Sequence, residues 1–296
     1  MERRGDDKLS SVSSLRVATL NIWGKQGPWN DRKHVLRHQL AALDSDLLGL
    51  QEVLRFDADR APYASSRGPE VRTEDQAMEL TEGTERSTAF GCALDLGFGF
   101  SFGNALVSRW PLEDVQTTRL PTDGNAEPRA LVSAIVRAPF GPVLFATTHL
   151  AWRFDEGALR MRQVMAVSSE LERRRQGIDY PALLVGDFNA EPDSDEMRFL
   201  RGQHVRDGRS TYFIDTFGEV GEGDGATFCR VNDFAAACGE PDRRIDYVLV
   251  RGRDRRGWGR PRTCRVVFDQ PLVVGDGTAP LYGTDHFGVV AELEAP

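Results

Sequence analysis

Apolar and polar residues alternate over short runs along most of this chain, and the runs follow one another closely. Leu15-Arg16-Val17-Ala18-Thr19-Leu20-Asn21-Ile22 starts in alternation and ends at Asn21 ahead of Trp23-Gly24, which predicts a strand running into a loop. Leu47-Leu48-Gly49-Leu50 predicts a short buried strand that delivers Gln51-Glu52. Segments 104–108, 113–119, 129–137 and 143–150 are β-rich, separated by Pro or Gly, and predict an antiparallel meander. Segments 182–186, 245–250, 264–268 and 287–293 read as further strands. Two stretches keep the helical period instead. One, capped by Asn30 or Asp31, carries Val35, Leu36, Leu40 and Leu43 on one face. The other opens at Asp155-Glu156 and carries Met161, Val164, Met165 and Leu171. It closes through Arg173-Arg174-Arg175 before Gly177, with its basic residues at the favourable end of the helix dipole.

Roughly a dozen strands with few helices do not match a Rossmann or barrel alternation; they fit an α/β fold of two packed, mostly antiparallel sheets flanked by helices. No segment repeats at a fixed period. Residues 1–14 are polar and serine-rich and read as a disordered tail, leaving 15–296 as one domain. Segment 55–103 is long and polar, with a Gly-Phe-Gly-Phe run at its end, and reads as an irregular binding loop.

Composition narrows the partners. The formal net charge of -8 gives no global basic footprint for gripping a duplex, so nucleic acid is possible but not favoured. Arg251, Arg253, Arg255, Arg256, Arg260, Arg262 and Arg265 form one basic stretch and Arg173-Arg174-Arg175 another. Both read as solvated surface. Cys92, Cys229, Cys238 and Cys264 include no CxxC pair, so no zinc ribbon or redox motif is signalled. Cys229 and Cys238 are close enough in sequence to bridge, with free thiols the favoured state. The N-terminus lacks the apolar core of a secretory signal, and no run approaches the ~20 apolar residues of a membrane span. A cytoplasmic, reduced setting and no membrane partner are the default expectations.

Chemistry enters where strands end. Asn21, Glu52, His149, Asp187 with Asn189, and Asp285 with His286 each stand at the end of an apolar run. Asp246 lies inside one, in Arg244-Ile245-Asp246-Tyr247-Val248-Leu249-Val250, where an ionised carboxylate is costly without a partner. Each position alone has an ordinary explanation as a turn, a cap or a core hydrogen bond. Together they bring several like charges to one sheet edge, where a cation would relieve their repulsion. That points to a metal-dependent phosphate-ester enzyme.

Six motifs then match in order. Thr19-Leu20-Asn21-Ile22-Trp23, Leu50-Gln51-Glu52-Val53, Thr148-His149-Leu150, Gly186-Asp187-Phe188-Asn189-Ala190, Arg244-Ile245-Asp246-Tyr247 and Thr284-Asp285-His286-Phe287 resemble the endonuclease/exonuclease/phosphatase superfamily. That family includes pancreatic-type deoxyribonuclease, abasic-site endonucleases, neutral sphingomyelinases and inositol-polyphosphate 5-phosphatases. The resemblance implies a four-layer α/β/β/α sandwich and hydrolysis of a phosphoester, a phosphodiester first, with Mg²⁺ or Mn²⁺ in its place. It implies Glu52 as the main metal carboxylate, with Asn21 and Asp285 beside it. It gives Asp187 and Asn189 the attacking water, His286 the scissile phosphate, Asp246 the orientation of His286, and His149 the place of a second active-site histidine. Arg129 resembles an arginine that reaches the phosphate in the deoxyribonuclease branch, and Asn104 is expected to line the cleft.

The substrate is less legible. No basic motifs for extra inositol phosphates and no apolar membrane hairpin are recognisable. Segments 55–103 and 219–243, the latter with Phe228, Phe234 and Arg243-Arg244, are expected to wall the cleft. A nuclease acting on DNA or RNA ends is the alternative, and predicts the Arg251–Arg265 stretch beside the cleft with an aromatic for stacking. A catalytically dead binding module of the same fold is the second alternative. Oligomeric state is left open.

Overall fold

A computed structural model describes residues 14–60, 74–124, 126–252, 254–273 and 279–296. The expected tail lies outside these residues except for Ser14, which already belongs to the first strand. In chain order the strands and helices are β1 (Ser14–Asn21), α1 (Trp29–Leu43), β2 (Leu47–Phe56), β3 (Glu74–Asp75), α2 (Gln76–Thr81), β4 (Ser87–Gly97) and β5 (Phe100–Ser108). There follow β6 (Leu112–Arg119), β7 (Ala130–Ala138), β8 (Gly141–His149), α3 (Gly157–Arg174), β9 (Leu183–Asp187), α4 (Asp195–Leu200) and β10 (Phe213–Asp215). The chain closes with α5 (Thr216–Val220), α6 (Asp233–Ala236), β11 (Asp246–Arg251), β12 (Pro261–Val267) and β13 (Gly288–Glu294).

The strands form two sheets. One runs β12-β13-β1-β2-β5-β4, with β3 on the end of β2; the other runs β10-β11-β9-β8-β7-β6. Only β1–β2 and β8–β9 are parallel among the described pairs. Leu36 and Leu43 of α1 and Leu80 of α2 pack on the outer face of the first sheet. Val164, Val167 and Leu171 of α3, with Met197 and Leu200 of α4, cover the second. This is the expected sandwich of two sheets flanked by helices.

Side chains alternate between faces along a strand, and that period decides where the chemistry lies. On β1, Leu15 and Val17 point between the sheets while Ala18 and Leu20 point to the helices. On β8, Val143 and Phe145 point inward; on β9, Leu183 and Val185; on β11, Val248 and Val250. Carrying each inward series to the site end of its strand gives Asn21, His149, Asp187 and Asp246. The space between the sheets is therefore apolar through most of its length and charged at one end. An intermediate layer marks the change. Gln51 donates to Thr19 Oγ1 at 3.1 Å and to Thr147 Oγ1 at 2.7 Å, tying β2 to β1 and to the opposite sheet.

Three expectations need correction. Segment 55–103 is not an irregular loop: β2 continues to Phe56, and β4 and β5 pair along an eleven-residue strand. Ser87, Gly91, Gly97, Ser101 and Gly103 sit within the bulged strands β4 and β5, Gly83 and Gly99 lie in turns, and the part spanning 61–73 lies outside the described residues. The meander loses its first member, because β5 pairs with β2 and β4 in the first sheet while β6, β7 and β8 form the second. Apolar runs announce strands, but they do not say which sheet takes each one. Neither Asn30 nor Asp31 caps α1. That helix starts at Trp29 after Pro28 and has no side-chain cap hydrogen bond. Its entry is held instead by Arg32, described below. All four cysteines are free.

Gly49 fixes the separation of the sheets just below the site. A Cβ there would lie 2.4 Å from Val185 Cγ2 and 2.7 Å from Thr147 Oγ1. We expect Gly49→Ala to cost about 1–3 kcal/mol, as overpacking does. Urea unfolding measures it, and an unchanged midpoint would mean that the sheets part freely at this level.

Candidate active site

Strand parity delivers Asn21, His149, Asp187 and Asp246, but it would turn Glu52 outward with Leu48 and Leu50. A bulge corrects this. The β2–β5 register jumps from Leu50↔Ala105 to Val53↔Gly103, so Gln51 and Glu52 together oppose Asn104. Glu52 takes φ 58°, a left-handed conformation rare for a side chain of this size. The bulge turns its carboxylate into the inter-sheet cleft. Asp285 and His286 come from the turn before β13. Thr284 Oγ1 donates to Asn21 O at 2.8 Å, Asn232 Nδ2 to Thr284 O at 2.7 Å, and Phe287 N to Thr227 O at 2.6 Å.

Asn21 is the hub. Its amide nitrogen donates to Glu52 Oε1 and to Asp187 Oδ2, both at 3.1 Å, and so links carboxylates from opposite sheets. Its amide oxygen accepts from Trp23 N at 3.0 Å, which fixes the orientation of the group. Asp187 also accepts from Asn189 N at 2.9 Å, made possible by φ 49° at Asn189. Asp187 Oδ2 faces two rings, with His149 Nε2 at 3.4 Å and His286 Nε2 at 3.8 Å. His286 Nδ1 pairs with Asp246 Oδ2 at 3.0 Å. His149 Nδ1 meets Arg129 Nη1 at 3.2 Å, and its Nε2 lies 3.0 Å from Asn189 Nδ2.

This geometry brings eight of the ten expected residues to one cleft edge, with Arg129 directly behind His149. A model of the Endonuclease/Exonuclease/phosphatase family matches residues 18–286. The chain belongs to that family. It is therefore a phosphoester hydrolase, and family members generally depend on a divalent metal. It is 27% identical over 286 residues to Protein angel of Drosophila melanogaster, covering 89% of this chain and 71% of that one. Nocturnin of Xenopus laevis is 26% identical over 167 residues, which cover 55% of this chain and 41% of that protein. The structure of D. rerio TDP2 complexed with single strand DNA product superposes with a TM-score of 0.69 at 17% identity, over 96% of this chain and all 100% of that one. A family protein from Bacteroides thetaiotaomicron gives 0.66 at 20% identity, over 95% and 94% of the two chains. At such identities these structures speak for the fold.

Within this family member the two histidines are set apart electrostatically. Burial alone would lower the pKa of His286, but the carboxylates of Asp246, Asp285 and Asp187 outweigh it and raise the ring well above its usual range. His149 is pushed down to about 3, by burial first and then by the Arg129 cation, so it is neutral. Its Nδ1 then accepts from Arg129, which leaves the proton on Nε2. Burial pushes Glu52 up to about 7, and the nearby Asp285 adds to the shift. Burial likewise raises Asp285. Burial works to raise Asp187 too, but with His149 neutral it is the His286 cation and the bonds from Asn21 and Asn189 that hold it below the usual carboxylate range.

Arg32 carries no motif and was not singled out by the sequence. It is fully buried and donates to Ile22 O at 3.1 Å, Gly283 O at 2.7 Å, Gly24 O at 2.9 Å and Gln26 O at 2.8 Å. Its guanidinium lies 4.9 Å from the Trp23 ring and 5.3 Å from that of Trp29. It joins the loop after β1 to the loop before β13 and places a cation behind Glu52 and Asp285. Burial lowers its pKa to about 10, which leaves it charged at neutral pH. The one available signal was an arginine within the first turn of a helix whose dipole disfavours it.

Two expected residues take other places. Asn104 is buried at 2% exposure and its amide donates to Ala130 O at 2.9 Å, so it bridges β5 to β7 instead of lining the cleft. Arg129 is 3% exposed and holds His149 and Glu127 Oε1, the latter at 3.2 Å; its Nε has no partner. Arg251 and Arg256 of the basic stretch lie away from the cleft. Asp246 pairs with Asp187 at the site end of β11, while Arg251 ends that strand at the far side and Arg256 covers Trp258 beyond it.

Two outcomes follow from these contacts. Arg32→Met leaves several buried carbonyls without a donor, and we expect a loss of at least about 3 kcal/mol in chemical denaturation. A loss under about 1 kcal/mol would mean that water replaces the guanidinium. His149 binds its proton far more weakly in the folded state than in the unfolded chain. Its stabilising contribution is therefore complete above its ordinary pKa of 6.5 and is lost as pH falls from there toward about 3. Over that window the metal-free wild type should lose up to about 1.4 kcal/mol per pH unit more than His149→Gln. Parallel stability curves would refute the neutral assignment.

Proposed function

We propose that this chain is a Mg²⁺-dependent phosphodiesterase that attacks its substrate in line with an activated water, with Mn²⁺ able to substitute. The observation that carries the reading is the Asn21 amide, which holds Glu52 from one sheet against Asp187 from the other at 3.1 Å each. Burying these carboxylates together is unfavourable without a cation. Glu52 and Asp285 disfavour each other's charge, and both offer only oxygen, which fits a hard divalent ion. They are the residues that would hold it. Bound Mg²⁺ supplies neutralisation of the negative charge that develops on the phosphoryl oxygens.

The remaining steps belong to the side chains. Asp187, held ionised, accepts the proton of the attacking water, while the Asn189 backbone fixes one of its oxygens. His286 is an imidazolium whose Nδ1 is engaged by Asp246, so its Nε2–H is directed at a phosphoryl oxygen. Neutral His149 directs Nε2–H beside it, and Arg129 sets that tautomer. Asp187, Asp246 and His286 offer ligand atoms within 4.8 Å of one another, but a charged histidine is no ligand, which favours Glu52 and Asp285 for the metal in this reading.

The narrower alternative is a nuclease, favoured by the likeness in fold to a TDP2 bound to single strand DNA product. The position of Arg251 and Arg256 speaks against a long nucleic-acid track through that stretch. The test uses bis-p-nitrophenyl phosphate with Mg²⁺ and then Mn²⁺. Glu52→Gln, Asp187→Asn and His286→Ala should each lose about 10²–10⁴ in kcat/KM, and EDTA should abolish wild-type turnover. Retained activity in all three variants would end this assignment of roles.

A further inference from the structure

A chain of three contacts leads from His286 to the protein surface. The Phe228 ring lies 5.1 Å from the His286 ring, edge to face. The guanidinium of Arg243 lies 5.6 Å from the Phe228 ring and 4.8 Å from that of Phe154. Phe228 is also bridged through its backbone to both Arg243 and His286, so the three share one frame. Phe154 stands at the outer end, five positions after His149, and is 64% exposed.

A single exposed phenylalanine needs no explanation. The group beneath this one does. Arg243 is only 6% exposed, and its Nε has no hydrogen-bond partner. Holding a guanidinium there is costly, and Glu240 engages only one of its terminal nitrogens. The Phe154 ring rests on that cation and is otherwise largely exposed. The loop is firm as well. Arg160 donates to Ala151 O at 3.1 Å and Arg153 O at 2.7 Å while paired with Glu196 at 2.6 Å. A flat, firmly held ring three contacts out from a phosphate-directed histidine is already organised for binding. Trp152, in the same loop, is 49% exposed.

We propose that Phe154, backed by Arg243, is a platform on which a planar ring of the substrate stacks, so that the scissile phosphodiester carries a nucleoside. This rests on the phosphodiesterase reading and specifies its substrate class. Stacking on an aromatic accepts any base and needs that base unpaired. Together with a net charge of -8, it favours a nucleotide or the loose end of a single strand over a duplex.

The experiment compares three esters that share a 4-nitrophenyl leaving group: the methyl phosphate, and the 5′- and 3′-phosphates of thymidine. With Mg²⁺, the wild type should prefer at least one thymidine ester over the methyl ester by on the order of tenfold in kcat/KM. Phe154→Ala should lose most of that preference, chiefly by raising KM for the thymidine ester, and Phe154→Trp should keep it. Phe154→Leu, which retains apolar area without a flat face, should behave like the alanine variant. Circular dichroism confirms that each variant is folded. A preference unchanged in Phe154→Ala, or preserved in Phe154→Leu, overturns the platform. A wild type that shows no preference overturns the nucleoside. If the wild type cleaves none of the three with Mg²⁺ or Mn²⁺, the phosphodiesterase reading itself fails, and this inference fails with it.

Discussion

Four carboxylates, those of Glu52, Asp187, Asp246 and Asp285, share one end of the space between two sheets, and the surrounding structure answers their repulsion. Each is met differently. Asp246 has the His286 ring at 3.0 Å, and Asp187 has Asn21, Asn189 and two histidines. Glu52 accepts from Asn21 and Asp285 from Thr284, and Arg32 supplies a cation behind them. Isolated carboxylates at this depth would take up protons and lose their charge. The compensation is uneven, and the unevenness locates the chemistry: Asp187 is kept ionised, and the Glu52–Asp285 side is left wanting positive charge.

The two histidines carry the same logic further. They lie on either side of Asp187, in similar burial, yet one is surrounded by carboxylates and the other is backed by an arginine. A single pair of neighbours separates an acid from a neutral donor. Divergent environments for like groups are how one cleft sustains proton transfer in both directions at one pH.

Much of this was legible in the sequence because strand parity carries it. Asn21, His149, Asp187 and Asp246 extend the inward series of their strands, so an apolar alternation that ends in a polar residue pointed to the right cleft. The rest depended on departures from regular structure. Glu52 lies on the wrong parity, and only its bulge returns it to the site; no residue pattern signals a register jump. Asn104, opposite that bulge, was assigned to the cleft because its neighbours resemble a family strand, but its amide is spent on the backbone of β7. Arg32 was invisible because its partners are carbonyl groups, which every residue has. The segment before β5 read as a loop because Gly91 and Gly97 within the bulged β4 resemble turn glycines such as Gly83 and Gly99.

The Asn21 amide has a mechanical consequence. β1 and β2 belong to one sheet and β9 to the other, and one planar group grips a carboxylate from each. Any sliding of the sheets past one another is therefore also a separation of Glu52 from Asp187. Small shear between layers is a common soft motion of packed folds, and here it acts directly on the distance between the Glu52 and Asp187 carboxylates. The alignment of the two halves of the sandwich and the alignment of these two carboxylates are the same coordinate. Warming or loosening the protein along it would disable the site while both sheets remained intact.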